Sequence, residues 1–118
     1  MVLFILIISA IYLNQFLLKS TQGIMDVIEL MEAKVKQKDW TGLKEEFIFL
    51  QREWKSILRL WKLFIEHEEI DKIQLRVVEL KEYINHQDEI LTKANLSALK
   101  YLVRHIYTKN RLNTGNIF

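Results

Sequence analysis

The residues best equipped for chemistry are three histidines and the carboxylates near them. His67 and Asp71 lie four apart, so on a helix both project from one face, a spacing that suits two ligands of one metal ion. His86 stands beside Asp88 and Glu89, and His105 falls near the core edge of the last apolar pattern. A helical bundle can gather side chains from separate helices, which makes His67, Asp71 and His105 the candidates for a zinc or haem site. The full motifs are missing. A di-iron bundle needs Glu-x-x-His on two helices, and that motif does not occur. The zincin pattern His-Glu-x-x-His fails at its last position, where Asp71 follows His67-Glu68-Glu69-Ile70. The expectation is no metal and no cofactor. His67 then reads as a half-buried histidine bonded across a turn, and His105 as a cation near a helix C-terminus.

Other chemistry has less to stand on. Glu45 with Glu46, or Glu66 with Glu68 and Glu69, would be the pairs for acid–base work. Nothing in the sequence supplies a cleft for them, so they read as solvated and the chain reads as not an enzyme. The absence of cysteine removes thiolate nucleophiles, disulfides and Cys-ligated metals. Three glycines, Gly23, Gly42 and Gly115, are too few and too scattered for a phosphate-cradling loop. Seventeen basic against 15 acidic residues give a formal +2, too little to imply a nucleic-acid partner. Arg52, Lys55, Arg59 and Lys62 recur at helical spacing, a basic stripe able to touch anionic lipid heads or an acidic partner. It is read as a solvated outer face.

Whatever these side chains do, helices must position them. Trp40, Leu43, Phe47, Leu50, Trp54, Ile57, Trp61 and Phe64 fall at heptad spacing, all large and apolar, five of them aromatic. Such a stripe requires a helix buried against other helices. Ile24, Ile28, Met31 and Val35 mark a helix before it, and Ile70, Ile73, Val77, Leu80 and Ile84 one after it. A fourth follows, with Leu91, Ala94, Ala98, Leu102 and Ile106 expected inward. Asp39 and Asp88 are placed to cap the second and fourth helices. The heptad phase from Ile70 to Ala98 is unbroken, so one long rod is the rival reading. A turn at Asn85–Asp88 is preferred, since a rod of some 40 residues would overhang its partners by roughly 25 Å. The fold class is all-α, an antiparallel four-helix bundle.

The first 18 residues carry no charge, and Val2 to Leu18 is apolar apart from Ser9, Asn14 and Gln15. Seventeen helical residues span roughly 26 Å, just short of a hydrocarbon core, and Lys19 can snorkel at its edge. This reads as a single-pass anchor that continues into the first bundle helix. A cleaved signal peptide, with Thr21-Gln22-Gly23 as a weak cleavage site, and a buried soluble helix are the rivals. The division is then 1–20 anchor or signal peptide, 21–112 bundle, and 113–118 tail, whose Ile117 and Phe118 would fold onto the bundle. With Lys19, Lys34, Lys36 and Lys38 after the span and no basic residue before it, the charges by themselves favour a cytoplasmic bundle.

One ordered set of landmarks resembles a known family. Asp39-Trp40, Trp54, Trp61, His67-Glu68-Glu69-Ile70-Asp71, Tyr83-Ile84, Asp88, His105-Ile106 and Asn116-Ile117 are similar to an uncharacterised bacterial family, the domain of unknown function four-three-six-three. The likeness covers most of the chain. It implies short proteins with an N-terminal hydrophobic segment before a helical domain, and no known activity. Members usually carry basic residues before that segment, which would put the domain outside the cytoplasmic membrane; this chain lacks them. The resulting expectation is a non-catalytic, membrane-anchored bundle of the bacterial envelope that works by protein interaction or scaffolding, with its domain extracytoplasmic. Its partners would be the membrane, through residues 2–18, an unknown protein, and in some settings a second copy of itself. The alternative is an extracytoplasmic sensor that holds a small molecule, metal or haem between its helices near His67 and His105.

Overall fold

In the computed structural model, residues 1–110 are described, and they form four α-helices: α1 (Val2–Lys36), α2 (Trp40–Phe64), α3 (His67–Asn85) and α4 (Glu89–Asn110). α1 packs on α2 and α4, and α3 packs on α2 and α4, so chain order is also the order around an up-and-down bundle. The expected 113–118 tail, its seating on the bundle, and the bundle boundary at 112 lie outside the described residues.

The core is built from the stripes that the periodicity marks out. Leu43, Phe47, Leu50, Trp54, Ile57 and Trp61 are buried along α2, with Trp40 and Phe64 packed at its ends. Trp54 and Trp61 meet edge-to-face at 5.6 Å between ring centres, an arrangement favoured by the ring quadrupole. Each indole N–H finds a partner on another helix: Trp54 Nε1 donates to Gln74 Oε1 at 3.1 Å, and Trp61 Nε1 to Ser20 Oγ at 3.0 Å. Ile24, Ile28, Met31 and Val35 of α1, and Ile70, Ile73, Val77, Leu80 and Ile84 of α3, are buried as their spacing requires.

The inward face of α4 differs from the expected one. Thr92, Asn95, Leu96, Leu99, Val103 and Ile106 are buried, whereas Leu91 and Ala94 are exposed and Ala98 and Leu102 only half-covered. The α3–α4 connection is a true reversal, so the heptad phase of α3 has no bearing on which face of α4 turns inward. Two buried polar residues also hide that face from a search for apolar spacing. Asn95 earns its place by donating from Nδ2 to the Arg76 carbonyl of α3 at 3.0 Å.

Two of the three turns share one design. α1 has Gln37 as its C-cap, followed by Lys38 in the left-handed region (φ 56°) and then Asp39. α3 has His86 as its C-cap, followed by Gln87 (φ 53°) and then Asp88. The amides of Asp39 and Asp88 donate back to the Lys34 and Tyr83 carbonyls, each at 2.9 Å. Those of Lys38 and Gln87 donate to Val35 and Ile84 at 2.9 and 3.0 Å. This is the Schellman pattern, with a non-glycine residue at the position glycine usually takes. Each aspartate then caps the next helix, accepting from Gly42 N and Leu91 N, both at 2.9 Å.

α1 is longer than its partners. The molecule measures 55 × 23 × 22 Å, and the first fully buried residue of α1 is Leu17. Before it, the side chains of Val2 to Leu6, Ile8 and Ile11 to Leu13 are exposed. α1 is long and apolar enough to cross a membrane, and almost none of its apolar window is covered by the other helices. The segment is therefore not the core helix of the bundle, and the reading of residues 2–18 as a buried soluble helix is set aside.

Candidate functional site

The candidate ligands His67, Asp71 and His105 do not assemble into a metal set among the described residues. His67 is the first residue of α3 and is exposed, so the half-buried, turn-bonded role expected of it does not hold. Asp71, one turn on, is exposed too. Among the described residues, no group of three or more His, Cys, Asp or Glu side chains stands together as a metal set. At mid-bundle the space between helices is about 10 Å³, lined by two residues from each helix, including Trp54, Ile73 and Leu99. That volume admits at most one water, not a haem.

Polar chemistry instead gathers where α1 leaves the bundle. Here the α2–α3 turn passes through Ile65 and Glu66 in extended conformation, and Glu66 makes no side-chain cap for α3. Glu69, only 8% exposed, receives Lys109 Nζ on Oε1 at 2.9 Å. Lys109 also lies 3.4 Å from Glu66 Oε1, and His105 Nε2 lies 3.9 Å from Glu69 Oε1. The His105 ring stacks on Tyr101 with centres 5.9 Å apart. The Glu69 hydrogen bond holds the Lys109 ammonium above the usual lysine range, with the Glu66 charge helping. This cluster ties the last turn of α4 to the first turn of α3. Glu69, read from the sequence as solvated alongside Glu66 and Glu68, is instead buried, and Lys109 was not singled out at all. One signal for Glu69 was available: it continues the Ile73–Val77 row by one turn, so a carboxylate sits on a core stripe.

Two concave surfaces flank this end. Ala10, Leu13, Asn14 and Leu17 of α1 share a groove of about 210 Å³ with Phe64 of α2 and Asn110 of α4. On the outer face of α2, Arg52, Lys55, Ser56 and Arg59 line an open hollow of about 280 Å³. A third hollow of similar size lies along the α2–α3 seam, lined by Lys44, Phe47, Ile48, Gln51, Lys81 and Ile84.

A family described as Domain of unknown function (DUF4363) matches residues 11–117. The chain belongs to that family. No curated protein matches it, and no solved structure does. The DUF4363 match begins at Ile11, inside the apolar segment, and continues through all three turns. It therefore includes the stretch in which α1 passes from uncovered to buried.

At the opposite end, the electrostatics belong to the caps. The Gly42 amide holds the Asp39 carboxyl below the usual aspartate range, and Lys34, 3.4 Å away, adds to the effect. Lys93, at 2.9 Å, does the same for Glu89. These shifts follow from helix capping and an i, i+4 pair, and neither surrounds a cleft.

Proposed function

We propose that this chain is a non-catalytic, single-pass membrane protein of the bacterial envelope that presents a rigid helical bundle for protein interaction or scaffolding. The observation that carries the reading is the two-part character of α1. Its first half is apolar and uncovered, its second half is core, and no break separates them. A lipid-exposed helix that runs without a break into a packed bundle fixes the bundle's position against the bilayer, which suits a scaffold. The tight core favours interaction at the surface over ligand storage inside. The hollow along the α2–α3 seam, with Ile48 exposed at its edge, is where we place the protein contact.

We place the bundle on the outer side, following the family's usual basic residues before the segment, although this chain's own lysines favour the inner side. The native chain has no cysteine, so single-cysteine variants report topology cleanly. The membrane fraction should retain the full chain through alkaline carbonate. A cysteine at Gln37, in the turn farthest from the apolar segment, should react with a membrane-impermeant maleimide in intact cells. Release by carbonate would remove the anchor, and labelling only after lysis would put the bundle in the cytoplasm.

A further inference from the structure

The apolar segment and the bundle overlap along α1, and the overlap has a geometric consequence. Phe64 and Asn110 border the same groove as Ala10, Leu13 and Asn14, and Leu17 is already buried by the bundle. The part of α1 clear of the other helices is thus about Val2 to Ser9. Eight helical residues reach roughly 12 Å, far less than the ~30 Å of a hydrocarbon core. Only by taking in residues up to Leu18 does the segment approach the required length. That draws the end of the bundle around Leu63, Phe64 and Asn110 into the headgroup layer.

The surface drawn in is not uniform. At the α2 corner Leu63 is 78% exposed and Leu60 45%. Beside them Arg52, Lys55, Arg59 and Lys62 are all exposed, and Lys19 is exposed on α1. At the α3 corner the exposed acids Glu66, Glu68 and Asp71 outnumber the exposed cations Lys72 and Lys109, and Lys109 is paired with Glu66. Near an anionic bilayer the first corner is attracted and the second repelled. Exposed leucines next to cations are the composition of a surface that sits among lipid heads, with apolar side chains in and ammonium or guanidinium groups at phosphate level. The hollow between Arg52, Lys55, Ser56 and Arg59 offers three cations and a hydroxyl, the donors a phosphodiester accepts.

The geometry points to a lipid-seating surface: the outer face of α2 from Arg52 to Leu63 docks on anionic phospholipid headgroups and tilts the bundle toward its α2 side. This rests on the membrane-anchored reading above and adds a lipid class and a docking face to it.

The test uses the full chain with a single cysteine at Ser56, carrying an environment-sensitive fluorophore, and a second version labelled at Gln37. Each is reconstituted into vesicles of phosphatidylcholine alone, or of phosphatidylcholine with phosphatidylglycerol. The Ser56 probe should shift to the blue when the anionic lipid is present, and the Gln37 probe should not. Molar salt, with a screening length of about 3 Å, should reverse most of the shift. Replacing Arg52, Lys55, Arg59 and Lys62 together by Gln should abolish it while the circular dichroism stays helical. A Ser56 probe that reads alike in both vesicles overturns the proposal and leaves the stripe to solvent or an acidic protein. A shift with inorganic phosphate and neutral vesicles overturns the bilayer as the ligand. Flotation with the vesicles is scored separately: a chain that fails to float defeats the anchor itself, whereas one that floats with a silent probe defeats only the seating.

Discussion

The two ends of the bundle are held by different physics. At the far end, two turns repeat one backbone pattern: a Schellman closure, a left-handed residue, and an aspartate that caps the next helix. At the end where α1 emerges, the single described turn has no left-handed residue and no side-chain cap. Closure there comes from long-range contacts. Trp61 reaches Ser20, 41 residues away in sequence, and Lys109 reaches Glu69, 40 residues away. Local turns that close themselves leave their surroundings free to vary. An end held by tertiary contacts fails as a unit.

The largest expected effect tests the tertiary end. Trp61 is completely buried and ties α2 to α1, so Trp61→Ala should cost roughly 3–5 kcal/mol. For a domain of this size that is a fall in melting temperature of well over 10 °C. A fall of only a degree or two would show that Trp61 does not hold α1, and the contrast between the ends would dissolve. Trp54→Ala, one heptad further in, should cost a similar amount.

The far end should answer to smaller, local changes. Gly42 lies so close to the Asp39 carboxylate that an added Cβ would collide with it. Gly42→Ala should therefore turn the Asp39 carboxylate aside, as Asp88 sits beside Leu91, and offset much of the ~1 kcal/mol that alanine ordinarily gains in a helix, leaving a net change within about 1 kcal/mol. Asp88→Ala removes the matching cap of α4 at about 1 kcal/mol. Gln87→Gly works in the other direction. Glycine relieves the left-handed strain of ~1 kcal/mol or more but frees the unfolded chain, so the net gain should be about 0.5 kcal/mol. Denaturant midpoints at unchanged slope measure all three. If Gln87→Gly destabilises, the Gln87 side chain is doing something beyond closing the turn.

That contrast also explains what could be read in advance. The α2 stripe was legible because its positions are all large, apolar and regularly spaced, and burying them is the dominant favourable term. The caps were legible because aspartate before an apolar run has one strong local use. The face of α4 was not, because its phase depends on a turn whose left-handed residue is Gln87 rather than glycine, and because Thr92 and Asn95 interrupt its apolar row. The polar cluster was half legible. His105 was singled out for its chemistry, and the place of Glu69 on the Ile73–Val77 row was there to be read, but the lysine that holds Glu69 is set by tertiary packing, which sequence spacing does not encode. His67 and Asp71 share a helical face as expected, yet that face turns outward.

Charge supports both ends, with opposite pH signs, and this gives the smallest and most diagnostic effect. Asp39 has its folded pKa depressed, chiefly by the Gly42 amide. Its contribution is full above the ordinary aspartate value of ~4 and fades as pH falls through the lower folded value. Asn caps nearly as well without the charge, so Asp39→Asn isolates this part. The melting-temperature gap between the native chain and Asp39→Asn should be largest near neutrality and close in acid. Lys109 has its folded pKa raised, chiefly by its hydrogen bond to Glu69. Its contribution is full below the ordinary lysine value of ~10.4 and fades as pH rises through the folded value. The gap between the native chain and Lys109→Met should persist through neutrality and close in alkali. Each gap is a difference between two chains, so other titrating groups, such as Tyr83, whose pKa burial and Glu79 raise, largely cancel. If the Lys109 gap stayed open in alkali, Lys109 would matter for its packing alone, and only the Asp39 end would owe its stability to charge.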